Sequence, residues 1–138
     1  MENRLVGVIG AGVMGTGLAQ NLAHSSYNVI LIDVSEDILE RAKDEITKNI
    51  RFQGFFGNKD KRDDPEEILG RITFTTTYEL LKDAYFVVEN VTEKWDVKEG
   101  VYAKLDDVCP DHCIFAANTS AIPITRIGSA TRRPEKVI

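Results

Sequence analysis

The segment Leu5-Val6-Gly7-Val8-Ile9-Gly10-Ala11-Gly12-Val13-Met14-Gly15 constrains the fold more than any other, because an apolar run stops abruptly at glycines spaced G-x-G-x-x-G. A strand buried on both faces of a parallel sheet needs a short β-branched run like residues 5–9, and the tight turn leaving it for a helix needs residues without a Cβ. Each glycine has its own task in such a turn. Gly10 makes the bend, Gly12 lets the backbone approach a pyrophosphate, and Gly15 lets the helix pack closely on its strand. The helix N-terminal amides and the positive end of the helix dipole then face the anion.

Glycine-rich turns are common, so the flanking sequence decides. Met14, Leu18 and Leu22 fall at four-residue spacing with Ala19 and Ala23 beside them, which predicts a helix with one apolar stripe against a sheet. A second β-branched run, Val29 to Ile32, ends in Asp33. That carboxylate lies about twenty residues beyond the glycines, where a dinucleotide fold places the acid that accepts hydrogen bonds from both ribose hydroxyls. The plainer alternative is a surface aspartate ending a strand before the turn-like Ser35-Glu36-Asp37. As a ligand, Asp33 would repel a 2′-phosphate by roughly 4 kcal/mol per unit charge at about 4 Å and an effective dielectric near 20. No Arg or Lys occurs from Val34 to Ile38 to reverse that preference, so NAD is expected over NADP.

Strand and helix patterns alternate through the remaining sequence. Ile38, Ala42, Ile46 and Ile50 keep helical spacing, so residues 36–53 should form a long amphipathic helix behind a Ser35 cap. Gly54 to Asp64 breaks the pattern and is expected to be an exposed loop or tail, a solvated turn over a small cluster of Phe52, Phe55 and Phe56 in preference to a site for a phosphorylated ligand. Pro65 to Leu69 starts a short helix, Ile72 to Thr76 a third strand, Tyr78 to Lys82 a brief helix and Tyr85 to Glu89 a fourth strand. Val97, Val101, Leu105 and Val108 mark a helical stripe, Cys113 to Ala117 a fifth strand, and Pro123 opens a short helix from Ile124 to Gly128. The fold class is therefore α/β, a doubly wound parallel sheet in one domain over residues 1–138.

Composition limits the function classes. At 138 residues the chain suits a single domain, and no apolar run approaches the roughly 18 residues of a membrane span. The N-terminus, Met1-Glu2-Asn3-Arg4, runs into a strand without a signal peptide, so a cytoplasmic location is expected. A net charge of −5 argues against a nucleic-acid partner. Cys109 and Cys113 flank Pro110-Asp111-His112, but the spacing fits no common zinc pattern, so no metal site is expected. His24 is read as a surface residue.

Ligands bind such sheets beyond the carboxyl ends of the strands. Asp33, Asn90 to Glu93 and Asn118 to Ser120 all follow strands, so they should line one crevice with the glycine turn. Asn and Ser both donate and accept hydrogen bonds, and Glu93 and Lys98 can pair or orient a carbonyl. Asn118 and Ser120 have an alternative use as helix caps before Pro123.

Over its whole length the chain resembles the NAD-binding domain of the 3-hydroxyacyl-CoA dehydrogenase family, 3-hydroxybutyryl-CoA dehydrogenases included. The resemblance rests on Gly10-Ala11-Gly12-Val13-Met14-Gly15 with Gly17-Leu18-Ala19-Gln20, on Val88-Glu89-Asn90-Val91-Thr92-Glu93 followed by Lys98, on Asn118-Thr119-Ser120 and on Arg133-Pro134-Glu135. It implies a Rossmann domain in which Gly10, Gly12, Val13, Met14, Gly15, Asp33, Glu93 and Lys98 hold NAD. It further implies that Lys98 and Ser120 reach the thioester substrate, with Ser120 and Asn118 at the reacting oxygen and Lys59, Lys61 or Arg62 near the nucleotide end of coenzyme A. Ser26-Tyr27, Tyr85 and Ala117 depart from the family pattern, which leaves an acyl carrier protein open as the acyl carrier.

In that family the sequence continues into a strand bearing a catalytic histidine and then a helical domain for substrate binding and dimerisation. This sequence ends at Ile138. Oxidation at C3 needs a general base for the hydroxyl proton, and neither His24 nor His112 is expected at the crevice. The polypeptide alone is thus expected to bind NAD without turnover. The rival readings are a stand-alone NAD-binding module and a hydroxyacid dehydrogenase of the 6-phosphogluconate type. The latter shares the glycine turn but does not account for Glu93, Lys98 and Asn118-Thr119-Ser120.

Overall fold

The structure, a computed structural model, describes residues 4–56 and 64–138. Five strands form a single parallel sheet: β1 (Leu5–Ile9), β2 (Asn28–Ile32), β3 (Ile72–Thr75), β4 (Phe86–Glu89) and β5 (Ile114–Ala117), in the order β3-β2-β1-β4-β5. The helices are α1 (Val13–His24), α2 (Glu36–Phe56), α3 (Pro65–Gly70), α4 (Trp95–Val108) and α5 (Ile124–Gly128), with 3-10 turns at Glu79–Asp83 and Pro134–Lys136. Strand order reverses between β1 and β4, so a crevice opens at the carboxyl ends of those two strands. Val137 bridges Phe115 in parallel on the outer edge of β5.

Each strand alternates its side chains between two cores, which is why the strands are apolar almost throughout. Val29 and Leu31 pack with Val8, Ala19, Ala42 and Ile46 under α1 and α2. Ile30 and Ile32 pack on the other face with Val87, Tyr102, Leu105 and Phe115 under α4. The doubly wound sheet is as the alternation of patterns predicts.

Three details differ from the sequence reading. The row of α1 on the sheet is Gly15, Ala19 and Ala23, not Met14, Leu18 and Leu22. A Cβ at Gly15 would lie 1.7 Å from the Gly10 carbonyl oxygen, so the helix starts pressed against the turn and only small residues fit beneath it. Leu18 and Leu22 pack at the flank, while Met14 is 66% exposed. On α4 the buried row is Lys98, Tyr102, Leu105 and Asp106, and Val97 of the expected stripe is 43% exposed. Polar residues count as solvent-facing in a periodicity argument, yet Lys98 and Asp106 are buried against charged partners, Glu89 and Arg133. Finally, α2 continues through Gly54 to Phe56, because one glycine costs a helix only about 1 kcal/mol and Leu39, Ala42, Ile46 and Ile50 already anchor it. The remainder of the expected loop, with Lys59, Lys61 and Arg62, lies outside the described residues apart from Asp64, which caps α3 by accepting from the Glu66 amide.

Arg133 is the main tie at the edge opposite the crevice. Its guanidinium donates to Asp106 Oδ1 at 2.7 Å and to the carbonyls of Asp106 and Cys109 at 3.0 and 3.1 Å, meeting the free carbonyls at the end of α4. Cys109 and Cys113 are buried free thiols there, and among the described residues no group of three or more His, Cys, Asp or Glu could hold a metal ion. His24 ends α1, and the exposed His112 precedes β5, both at this edge.

Candidate functional site

The glycine turn is built as its spacing predicts. Gly10 has φ +98°, and a Cβ on it would meet the Asn90 carbonyl oxygen at 2.8 Å. Gly12 differs: it is extended at the head of α1, and a Cβ there would meet nothing within 4 Å. The fold does not require glycine at that position, and its absent side chain leaves open space at the crevice mouth. The first bond of α1 runs from the Thr16 amide to the Gly12 carbonyl at 2.9 Å, so the amides of residues 13–15 have no partner within the helix. No acidic side chain occupies the first turn of α1 to offset its positive end.

Asp33 closes this half of the site. Its Oδ2 accepts the Ala11 amide at 2.8 Å and its Oδ1 the Val34 amide at 2.7 Å, tying the turn after β1 to the end of β2. Each carboxylate oxygen keeps acceptor capacity for a second donor. The Thr16 hydroxyl donates to the Ala11 carbonyl at 2.9 Å and locks the same turn from below. Between Gly10, Gly12, Asp33, Tyr78, Asn90 and Val97 lies a crevice of about 630 Å³. Burial and then the charges of Asp33 and Glu89 push the Tyr78 phenol up to about 12, so it stays protonated as a donor. The Lys104 ammonium lies 5.4 Å from the Tyr78 ring centroid.

The opposite wall is Asn90, Val91 and Thr92 with Val97, Val101 and Lys104, while Glu93 and Asn118 to Ser120 stand beside the crevice and do not line it. Asn118 Nδ2 donates to Asn90 Oδ1 at 2.9 Å, and the Thr119 hydroxyl donates to Glu93 Oε2 at 2.8 Å, so the segments after β4 and β5 meet as the strand-end rule predicts. The Thr119 hydrogen bond, then the Lys98 ammonium against a partial opposing effect of desolvation, hold Glu93 below the ordinary carboxylate value. Lys98 has no solvent exposure. Its Nζ donates to Glu89 Oε2 at 2.7 Å and the Val91 carbonyl at 3.3 Å, and it lies 3.3 Å from Glu93 Oε1. All three ammonium donors thus meet protein acceptors behind the loop. Ser120 is exposed beside Thr119, and neither Ser120 nor Asn118 caps α5, whose N-cap is Pro123.

The sequence reading did not single out Glu89, Tyr102, Tyr78 or Lys104. For Glu89 a signal existed: a charged residue closing the apolar run Phe86-Val87-Val88 must find buried partners. Tyr78 and Lys104 come from separate elements, and nothing local in the sequence joins them.

A parallel sheet with an anion-receptive helix start, a carboxylate with spare acceptor capacity at the end of the second strand and a crevice at the strand-order reversal defines a dinucleotide-binding domain. Residues 5–138 match the family of the 3-hydroxyacyl-CoA dehydrogenase NAD binding domain, and the chain belongs to that family. It is 40% identical over 133 residues to a probable 3-hydroxybutyryl-CoA dehydrogenase of Deinococcus radiodurans, covering 96% of this chain and 47% of the relative. Among solved structures it is similar to the (S)-3-hydroxybutyryl-CoA dehydrogenase of Ralstonia eutropha, with a TM-score of 0.91, 31% identity, and coverage of 99% of this chain and 48% of that one. The 3-hydroxybutyryl-CoA dehydrogenase of Escherichia coli K12 gives a TM-score of 0.92 at 34% identity, with coverage of 99% and 29%. The chain therefore spans about half the length of the Deinococcus and Ralstonia relatives, 47% and 48%.

NAD is the cofactor of this domain family, and the residues present fit it. The open space at Gly12 and the free amides of α1 suit a pyrophosphate. Asn90 Nδ2 is buried without an acceptor, a donor left for a partner outside the protein. Val34, 93% exposed, lines the crevice as apolar surface that a bound ligand would cover, whereas Val13, 92% exposed, lines a neighbouring cleft between α1 and α2.

Proposed function

We propose that this chain is the cofactor-binding part of an enzyme that oxidises the C3 hydroxyl of a 3-hydroxyacyl thioester with NAD, or reduces the ketone in reverse. The observation that carries the proposal is the joint between glycine turn and acid. The Ala11 amide bonded to Asp33 at 2.8 Å holds the anion-facing helix start and the ribose acceptor in one rigid unit beside the crevice. Gly10, Gly12 and Gly15 shape the turn, the amides of Val13, Met14 and Gly15 take the pyrophosphate, and Asp33 takes the adenosine ribose. When bound there, NAD supplies a hydride acceptor for the carbon that bears the hydroxyl.

Asn118 and the exposed Ser120 stand at the carboxyl end of β5, where a carboxamide and a hydroxyl can hold the reacting oxygen. Glu93 lies across from them through Thr119. Lys59 and Lys61 are assigned to the nucleotide end of coenzyme A by resemblance. Coenzyme A is favoured over an acyl carrier protein as the acyl carrier because the Deinococcus and Ralstonia relatives carry names specifying CoA thioesters. Homodimerisation of the full-length enzyme, through a domain other than this one, and a cytoplasmic location are carried over as part of the same reading. Among the described residues no helix is long and apolar enough to cross a membrane.

The chain by itself binds NAD without turnover. The proton at the hydroxyl needs a base, and His24 and His112 lie at the edge of the sheet opposite the crevice. The test is a titration of the chain with NADH followed by nicotinamide fluorescence, then addition of acetoacetyl-CoA. Saturable binding with no NADH consumption is expected, and fusion to the C-terminal half of the Ralstonia relative should restore acetoacetyl-CoA reduction. Saturable NADH binding with a fusion that stays inactive would favour an NAD-binding module without catalysis.

A further inference from the structure

Glu89 ends β4 with no exposure, in a strand packed on both faces. Its single carboxylate receives three donors: the Val91 amide at 2.7 Å and the Lys98 ammonium at 2.7 Å on Oε2, and the Tyr102 hydroxyl at 3.0 Å on Oε1. Lys98 continues the path to the Val91 carbonyl and to Glu93, and Glu93 passes it to Thr119 beyond β5. One chain of contacts thus runs from α4 through the end of β4, along the loop of residues 90–94 and across to the loop after β5.

Stability alone does not explain such a device, because well-packed apolar residues of similar volume hold a helix on a sheet as well as a buried ion pair does. What the network does achieve is positional. Val91 is gripped at both its amide and its carbonyl, and Glu93 is held from behind by Lys98 and by Thr119 of the loop after β5. Val91 lies within, and Glu93 directly after, the segment Asn90 to Thr92 that lines the crevice.

We propose that Glu89 and Tyr102 are positioning residues: Tyr102 orients the Glu89 carboxylate, Glu89 holds the Lys98 ammonium behind the loop, and Lys98 fixes Val91 and Glu93 where the crevice receives the dinucleotide. The proposal rests on the reading of the crevice as the NAD site.

Two readouts on the intact chain test it. Tyr102→Phe removes one hydroxyl and little volume, and Glu89→Gln removes the charge while keeping the shape. Each should weaken NADH binding by about fivefold, the worth of one displaced hydrogen bond, with the folded state retained. The second readout needs no ligand: the Glu93 carboxyl is titrated by carbon-13 NMR. The groups acting on Glu93 are Lys98 from α4 and, from the loop after β5, the Thr119 hydroxyl and the Ala121 amide. Lys98→Met takes the cation away from Glu93, so the depressed Glu93 titration should rise toward the ordinary glutamate value. A merely structural network would lower the melting temperature and leave both NADH affinity and the Glu93 titration at their wild-type values, which would overturn the proposal. Failure of the wild-type chain to bind NADH would remove the NAD reading, and the Glu93 titration would still decide whether Lys98 governs the loop.

Discussion

The two walls of the crevice are made in opposite ways. On the β1-α1-β2 side the surface is main chain, shaped by missing side chains at Gly10, Gly12 and Gly15 and locked by Asp33 to the Ala11 amide. On the β4-α4-β5 side it is side chain supported by side chain, with Glu89 and Lys98 buried beneath Asn90, Val91 and Glu93. A main-chain wall offers fixed amides to any diphosphate. A side-chain wall can be varied residue by residue without moving the sheet, which suits the end of a cofactor that must meet a particular substrate.

Breaking the support of the second wall should give the largest effect. Lys98→Met leaves Glu89 as a buried charge without its counterion and should cost about 3–5 kcal/mol in urea unfolding. The double change Glu89→Leu with Lys98→Met should recover most of that loss, within about 1 kcal/mol of wild type. A double variant no more stable than Lys98→Met would show that the two residues are not a coupled pair. On the first wall, Gly15→Ala drives a Cβ into the Gly10 carbonyl and should cost about 3 kcal/mol, at the upper end of ordinary overpacking. Thermal unfolding would reveal it, and an unshifted melt would mean that the α1 start is looser than its 1.7 Å conflict implies.

Gly12→Val separates binding from folding on that same wall. Its side chain enters open space, so the melting temperature should hold while NADH affinity falls at least about tenfold, or about 1.4 kcal/mol. The smallest effect is expected from Asp33→Ala. It should weaken NADH severalfold, narrow the gap to NADPH as the repulsion of the 2′-phosphate disappears, and lower stability by about 1 kcal/mol through the freed Ala11 amide. Parallel NADH and NADPH titrations check this, and an unchanged ratio would make Asp33 a turn lock only.

This division also explains what could be read from the sequence. The first wall was legible almost completely, because its requirements are local: a β-branched strand, glycines at fixed offsets, and an acid at the end of the next strand. All five strands and the parallel, doubly wound sheet followed from the alternation of period-two and helical patterns. The meeting of Glu93 with Thr119, and of Asn90 with Asn118, followed from the rule that strand ends converge. The second wall's support was not legible, because its residues look alike to a periodicity argument whether buried or exposed. Lys98 sits on α4 among charged residues, and only the carboxylate of Glu89 makes its burial possible. The α1 stripe was misplaced for the opposite reason. Close packing against the glycine turn favours the smallest side chains on the buried face, whereas hydrophobicity favours the largest.

The proposed NAD site depends first on the bare amides at the start of α1 taking the diphosphate. Amide proton and nitrogen shifts of the labelled chain, followed while NADH is added, test it most directly. Saturating changes should be largest at Ala11 to Gly15 and at Val34, and they should vanish from that turn in Gly12→Val. Binding that leaves those amides in place, or moves a different surface of the sheet, would contradict the account.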